Sequence, residues 1–273
     1  MKTVHELNEI ARDVRMDALR GIHAAGAGHP GGSLSVTDIL VSLYFNVMNV
    51  DPENPKMEGR DRLVLSKGHA APALYSTLAH RGYFDTSEML TLRKLGSRLQ
   101  GHPSMKLCPG VEMSTGSLGQ GFSAAVGMAI ADKIDGKDRK TFVITGDGEL
   151  QEGIIWEAAL SAAKHGLDNL IAVVDWNNLQ IDGVVDIVKK VAPIDEKFSS
   201  FGWATFVCDG HDMQALLDTY EKAFKVSGKP VCIVARTHKG HGVSFMEDQA
   251  GWHGKAPDDE QLAQALSELG GDR

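Results

Sequence analysis

Apolar positions Val4, Leu7, Ile10, Val14, Ala18 and Ile22 recur at three- and four-residue spacing and predict an amphipathic helix over 4–25. The glycine-rich stretch AAGAGHPGGSLS interrupts this pattern, and Ser35 reads as the N-cap of a second helix over 36–47. Downstream the period changes. Short apolar runs (DRLVLS, KTFVITGD, NLIAVVDWN, ATFVCDG and PVCIVARTH) predict strands. Helices are expected over 70–81, 86–95, 119–134, 151–165 and 213–226, and GHPSMKLCPGVEMSTGSLGQG reads as a long loop. Near-continuous apolar strands alternating with helices predict an α/β fold, a mostly parallel central sheet with helices on both faces. No internal repeat or low-complexity linker divides the chain, and 273 residues suit one domain over 1–273. The final PDDEQLAQALSELGGDR reads as a capped helix running into Gly-Gly, a natural end.

Composition narrows the function classes. The formal net charge is −8 with no long basic run, which argues against a nucleic-acid partner. Cys108, Cys208 and Cys232 form no C-x-x-C pair, so neither a disulfide framework nor a structural zinc site is expected. The N-terminal segment is charged throughout, unlike a signal peptide, and no apolar run approaches the ~18 residues of a membrane span. These features predict a cytoplasmic protein.

In open parallel sheets, ligands bind beyond the carboxyl ends of the strands. That rule brings together the loops after 62–66, 141–146 and 170–175. The second carries Gly146, Asp147 and Gly148, and the third Asp175, Asn177 and Asn178. An Asp carboxylate and an Asn carbonyl at adjacent strand tips are hard oxygen ligands of the kind Mg²⁺ or Ca²⁺ prefers. Gly146 and Gly148 let backbone N–H groups approach a phosphate at the start of a helix. Gly-Asp-Gly alone is more often an ordinary turn.

The longer stretch GDGELQEGIIWEAALSAAKHGLDNLIAVVDWNNLQIDG resembles the diphosphate-binding motif of thiamine diphosphate enzymes. AGHPGGSLS, LSKGHAAPALY, GHPSM…PGVEMSTGSLGQG and the Gly-Asp-Gly turn, in that order over nearly the whole chain, resemble the transketolases. The resemblance is to their N-terminal, diphosphate-binding half. It implies a Mg²⁺ ion (or Ca²⁺ or Mn²⁺) held by Asp147, Asn177 and the carbonyl of Leu179, where most relatives have Ile. It implies a cradle for thiamine diphosphate from Gly148, Gly116, Ser117 and Leu118, with Ser117 where many single-chain members have Pro, and a contact from His69. His29 and His102 would line the substrate channel and stabilise an oxyanion, and His253 would stand at its mouth. His5, His23, His80 and His165 lie in helical patterns and read as structural. His238 and His241 could form a metal pair by spacing, but no third ligand is apparent. Glu152, and Glu157 with it, reads equally as a helix N-terminal acid or as part of a subunit-interface carboxylate cluster near the cofactor. Glu149 reads as solvated.

The implied reaction is ketol transfer, a two-carbon unit passing from a ketose phosphate to an aldose or aldose phosphate. The glutamate that activates the cofactor in this family comes from a pyrimidine-binding domain that no region here resembles. The chain therefore looks like the N-terminal subunit of a split transketolase, inactive alone and completed by a C-terminal partner subunit in an α₂β₂ assembly. Open alternatives are one component of a deoxyxylulose-phosphate synthase-like enzyme or a 2-oxo acid dehydrogenase, a non-catalytic assembly subunit, and a truncated piece of a longer enzyme.

Overall fold

Both faces of the sheet are apolar, as a buried parallel sheet requires. Leu63, Leu65, Phe142, Ile144, Ile171, Val173 and Ile233 point into one core cluster. Val64, Val143, Ala172, Val174, Cys232 and Val234, their neighbours in sequence, point into another. The computed structural model describes residues 1–270. The chain runs through α1 (Val4–Ala25), α2 (Pro30–Ser42), β1 (Arg62–Leu65), α3 (Ala71–Arg81), α4 (Gln120–Ile134), β2 (Thr141–Gly146), α5 (Gly153–Lys164) and β3 (Leu170–Trp176). A small hairpin follows, β4 (Leu179–Gln180) and β5 (Gly183–Val184), then α6 (Val185–Lys189), α7 (Ile194–Ser200), β6 (Ala204–Asp209), α8 (Met213–Phe224), β7 (Val231–Arg236) and α9 (Asp259–Glu268).

The main sheet is wholly parallel in the order β1-β2-β3-β7-β6. α2, α3 and α8 cover one face with Ile22 of α1, and α4, α5 and α7 cover the other. β2 and β3 pair Gly146 with Asp175, and β3 and β7 pair Trp176 with Arg236, so the tips of three strands end level. α1 begins at a Thr3/Glu6 capping box and stops at Gly26, a left-handed residue. No helix among the described residues is long and apolar enough to cross a membrane.

Three expectations need correction. The second helix begins at Pro30, not after Ser35, and passes at Leu43–Val47 into a wider π-helical turn. Proline is favoured in the first helical turn, where its missing N–H costs nothing. Gly31 is there for space: a Cβ on it would lie 2.9 Å from Lys239 Cγ and 3.0 Å from the Trp252 carbonyl oxygen. Ser35 is no cap; it lies buried inside α2 and donates to Asp175 Oδ2 at 2.6 Å. The expected helix over 86–95 is a short 3₁₀ segment, Thr86–Thr91, ended by Leu92 and left-handed Arg93. α9 is the expected helix, and its N-terminus carries a capping box, Asp258 with Gln261; the Gly271 that follows Gly270 lies outside the described residues.

Candidate functional site at the strand tips

A cavity of about 400 Å³ opens beyond the carboxyl ends of β1, β2, β3 and β7. α2 supplies Gly32 and, as its N-cap, His29. The turn after β1 supplies Lys67 and His69, and the loop before α4 supplies Gly116 and Leu118. Gly146 ends β2 and Asp147 and Gly148 follow it, Asn177 follows β3, Leu179 opens β4, and Lys239 and His253 come from the chain beyond β7. A larger, shallower groove of about 810 Å³ lies on the far side of the Asn177–Leu179 segment, with Trp176 and Arg236 in its wall. Fewer buried polar groups converge there, and the smaller cavity holds the concentrated chemistry.

The floor carries two buried acids. Asp175 accepts from Ser35 and Thr237 hydroxyls and pairs with the buried Lys67 ammonium. Burial alone would raise its pKa, but Lys67 and the hydroxyls overcome that and hold it below the ordinary carboxylate range. Asp147 differs. Its oxygens accept only the backbone N–H groups of Gly148 and Asn178. Burial, with the Asp175 charge next to it, pushes its pKa up to about 7. The site is therefore short of positive charge at Asp147, which is what a bound cation would correct. Asn177 and Leu179 present their oxygens on the same segment: Asn177 Oδ1 accepts from Leu179 N at 3.1 Å, and the Leu179 carbonyl accepts from Lys239 Nζ at 3.0 Å. The donor set of carboxylate, amide and backbone oxygens is all hard.

Four imidazoles stand together. The ring centroid of His29 lies 5.1 Å from His69, 6.3 Å from His102 and 5.4 Å from His253, and His69 lies 5.1 Å from His253. Burial lowers all four pKa values, helped by Arg93 at His29 and His102, by Lys67 at His69 and by Lys239 at His253. His29 falls to about 4 and His253 to about 3. They are neutral rings near pH 7, able to donate from one nitrogen and accept at the other. Lys239 Nζ donates to His253 Nδ1 at 3.0 Å, which leaves the ring proton on Nε2. Among the described residues His29 Nδ1 is buried without a partner, an unspent polar atom.

The structure thus brings His29, His69, His253, Gly116, Leu118, Asp147, Gly148, Glu152, Asn177 and Leu179 onto one cavity. Ser117 and His102 do not wall it. Ser117 is exposed, and His102 is the outermost of the four rings, its Cδ2 3.1 Å from where a Cβ on Gly116 would lie. Glu152 caps α5 by position but makes no side-chain cap bond, and Glu157 is exposed. Glu149 corrects the sequence reading. It is buried, with four donors on its carboxyl group. Lys67 and Lys239 do not stand out in the sequence, because a lysine in a glycine-rich turn usually reaches for solvent; both are buried here.

His241 meets Asp38 and His211 rather than His238 as potential metal-binding neighbours. Asp38 is already held by Arg15, and His211 bonds Asp38 through Nδ1 and the His238 N–H through Nε2, so two of the three members are engaged, while His241 Nδ1 lies 3.2 Å from Glu247 Oε2.

Comparison with known proteins identifies the family. The family model for the thiamine diphosphate binding domain of transketolase matches residues 6–273. The chain belongs to the transketolase family. It is 44% identical over 264 residues to the 6-deoxy-6-sulfo-D-fructose transketolase subunit of Clostridium sp. (strain MSTE9), covering 97% of this chain and 96% of that one. It is 42% identical to an apulose-4-phosphate transketolase subunit of Phocaeicola vulgatus, covering 91% and 88%. Among solved structures, the transketolase of Campylobacter jejuni superposes with a TM-score of 0.92 at 35% identity, over 99% of this chain and 43% of that one. The chain thus spans nearly the full length of relatives named as subunits and under half of that longer transketolase.

Proposed function

We propose that this chain is the N-terminal subunit of a magnesium-dependent, cytoplasmic transketolase, a single diphosphate-binding domain over residues 1–273. It would move a two-carbon ketol unit from a ketose phosphate to an aldose or aldose phosphate, and only with a C-terminal partner subunit, as an α₂β₂ assembly. The observation that carries the reading is the undercompensated Asp147 on the same strand tips as the Asn177 and Leu179 oxygens, with Lys67 and Lys239 beside them.

The residues present fit the cofactor. Asp147, Asn177 and the Leu179 carbonyl would hold the metal. Gly148, with no Cβ (one would lie 3.3 Å from Gln180 Cβ), leaves room for a phosphate against its backbone. Lys67, Lys239 and His69 would face the diphosphate, and Gly116 and Leu118, on either side of the exposed Ser117, would shape the wall against the thiamine rings. Bound thiamine diphosphate supplies the electron sink for breaking a carbon–carbon bond beside a carbonyl. The chain's own contribution to turnover would be the neutral imidazoles of His29, His102 and His253. They would orient sugar hydroxyls and donate hydrogen bonds to the oxygen on which negative charge develops. The relatives named as subunits support a separate partner, since each is matched over almost its whole length by a chain of this size.

The test is to assay ketol transfer with the purified chain, with a C-terminal subunit of the same family, and with both. Activity is expected only from the mixture, with thiamine diphosphate and Mg²⁺ present. Full activity from the isolated chain would overturn the split-subunit reading. Product analysis separates ketol transfer from synthase or dehydrogenase chemistry, and absence of cofactor binding by the mixture would favour a non-catalytic subunit.

A further inference from the structure

Glu149 lies two residues beyond Asp147 in the short 3₁₀ turn after β2, yet it points away from solvent. Its Oε1 accepts from the Ser66 hydroxyl at 2.5 Å and from the Gly119 N–H at 2.8 Å. Its Oε2 accepts from the Thr145 hydroxyl at 2.7 Å and the Gly146 N–H at 3.1 Å. All four partners are uncharged. Ser66 has no freedom to turn away, because its oxygen accepts the Phe122 N–H in the first turn of α4 at 2.9 Å. The proton it offers Glu149 is thereby fixed.

The four donors come from three places that bound the cavity. Ser66 follows β1 immediately before Lys67. Gly119, left-handed at φ +81°, closes the 116–118 loop and caps α4. Thr145 and Gly146 end β2 immediately before Asp147. One carboxyl group therefore ties the lysine turn, the glycine loop and the acidic turn to one another. It does so across sequence separations of 83 and 30 residues.

We propose that Glu149 is a positioning residue for the cofactor site, acting through the backbone of Gly119 and Gly146, which its carboxyl group holds. The proposal rests on the reading that the 116–118 and 146–148 segments hold thiamine diphosphate. Only a carboxylate can serve all four donors. In Glu149→Gln one oxygen becomes an amide NH₂, itself a donor. Thr145 can then turn to the Gly146 carbonyl, 3.2 Å away, but either Gly119 N–H or Gly146 N–H is left facing a donor. The loop or the turn must shift to relieve it.

The experiment measures the Kd of thiamine diphosphate with Mg²⁺ by calorimetry on the chain assembled with its partner subunit. Hydrogen exchange of residues 115–122 and 145–150 is followed on the chain alone. Glu149→Gln is expected to weaken binding about tenfold or more and to speed exchange in those two segments. Asp132→Asn is the control. That acid is also buried, but it serves Arg139 and Arg62 away from the cavity. It is expected to lower the melting temperature while leaving Kd unchanged. If Glu149→Gln melts too low to assay, Ser66→Ala removes one donor and keeps the carboxyl group, with an expected loss of about threefold. A folded Glu149→Gln or Ser66→Ala protein with unchanged Kd would overturn the proposal, as would an equal loss in Asp132→Asn. Failure of the unmodified complex to bind the cofactor would instead remove the reading beneath it.

Discussion

The Lys239 ammonium bridges the Leu179 carbonyl and His253 Nδ1 at 3.0 Å each, and it is 2% exposed. One buried cation thus stands between the segment proposed to hold a metal and a ring proposed to meet substrate. Burial, with Lys67 nearby, lowers its pKa to about 8, while Asp147 and Asp175 pull the other way. It remains a donor near neutral pH.

Replacing Lys239 with Met keeps the packing against Gly31 and removes the charge. Thiamine diphosphate affinity should fall about tenfold to a hundredfold, the worth of one charge-assisted hydrogen bond. Calorimetry on the complex at fixed Mg²⁺ measures this, and an unchanged Kd would remove Lys239 from the diphosphate site.

Asp147→Asn deletes the one carboxylate in the proposed metal set. Mg²⁺-dependent cofactor binding should weaken by about a hundredfold or more, the scale of several kcal/mol lost with a metal ligand. A Mg²⁺ titration at constant thiamine diphosphate reads it directly.

The imidazole cluster makes the fold acid-sensitive. His29 and His253 have folded pKa values of about 4 and 3, below the ordinary 6.5. Their contribution to stability is present above pH 6.5 and is lost as pH falls toward those folded values. Urea midpoints should therefore drop steadily below pH 6.5, and His253→Asn should make the drop shallower. An equally steep fall in that variant would place the acid sensitivity elsewhere.

Asp38 titrates lower still. Burial would raise it, but Arg15 and the His211 bond hold it at about 2 against an ordinary 3.8. That contribution is present above pH ~4 and disappears as pH approaches 2, an amount of about 2 kcal/mol. Asp38→Asn should be markedly less stable than the parent at pH 7, and the gap should narrow by about that amount at pH 2. Denaturant unfolding at the two pH values measures both.

Where periodicity is local, the sequence is a good guide. The five strands and the helices over 4–25, 119–134 and 151–165 follow from 2- and 3.6-residue patterns that burial on two faces enforces. Asp147 and Asn177 follow from the strand-tip rule, and the pairing of Gly146 with Asp175 brings those tips level. The start of α2 is illegible because Pro-Gly-Gly resembles a break. Gly31 answers instead to Lys239, which arrives from elsewhere in the chain. Glu149 is illegible for the same reason: its burial is made by Ser66 and Gly119, and nothing in GDGELQEG announces them. Long-range hydrogen bonds leave no period in the sequence.

β7 enters the sheet between β3 and β6, although it is the last strand made. During synthesis the β1-β2-β3 half can emerge and pair while Lys239 and His253 are still inside the ribosome. The cavity then lacks one of its walls and its second buried lysine. A nascent chain is thus unable to grip a cofactor early, and loading must wait until the chain through His253 has been translated.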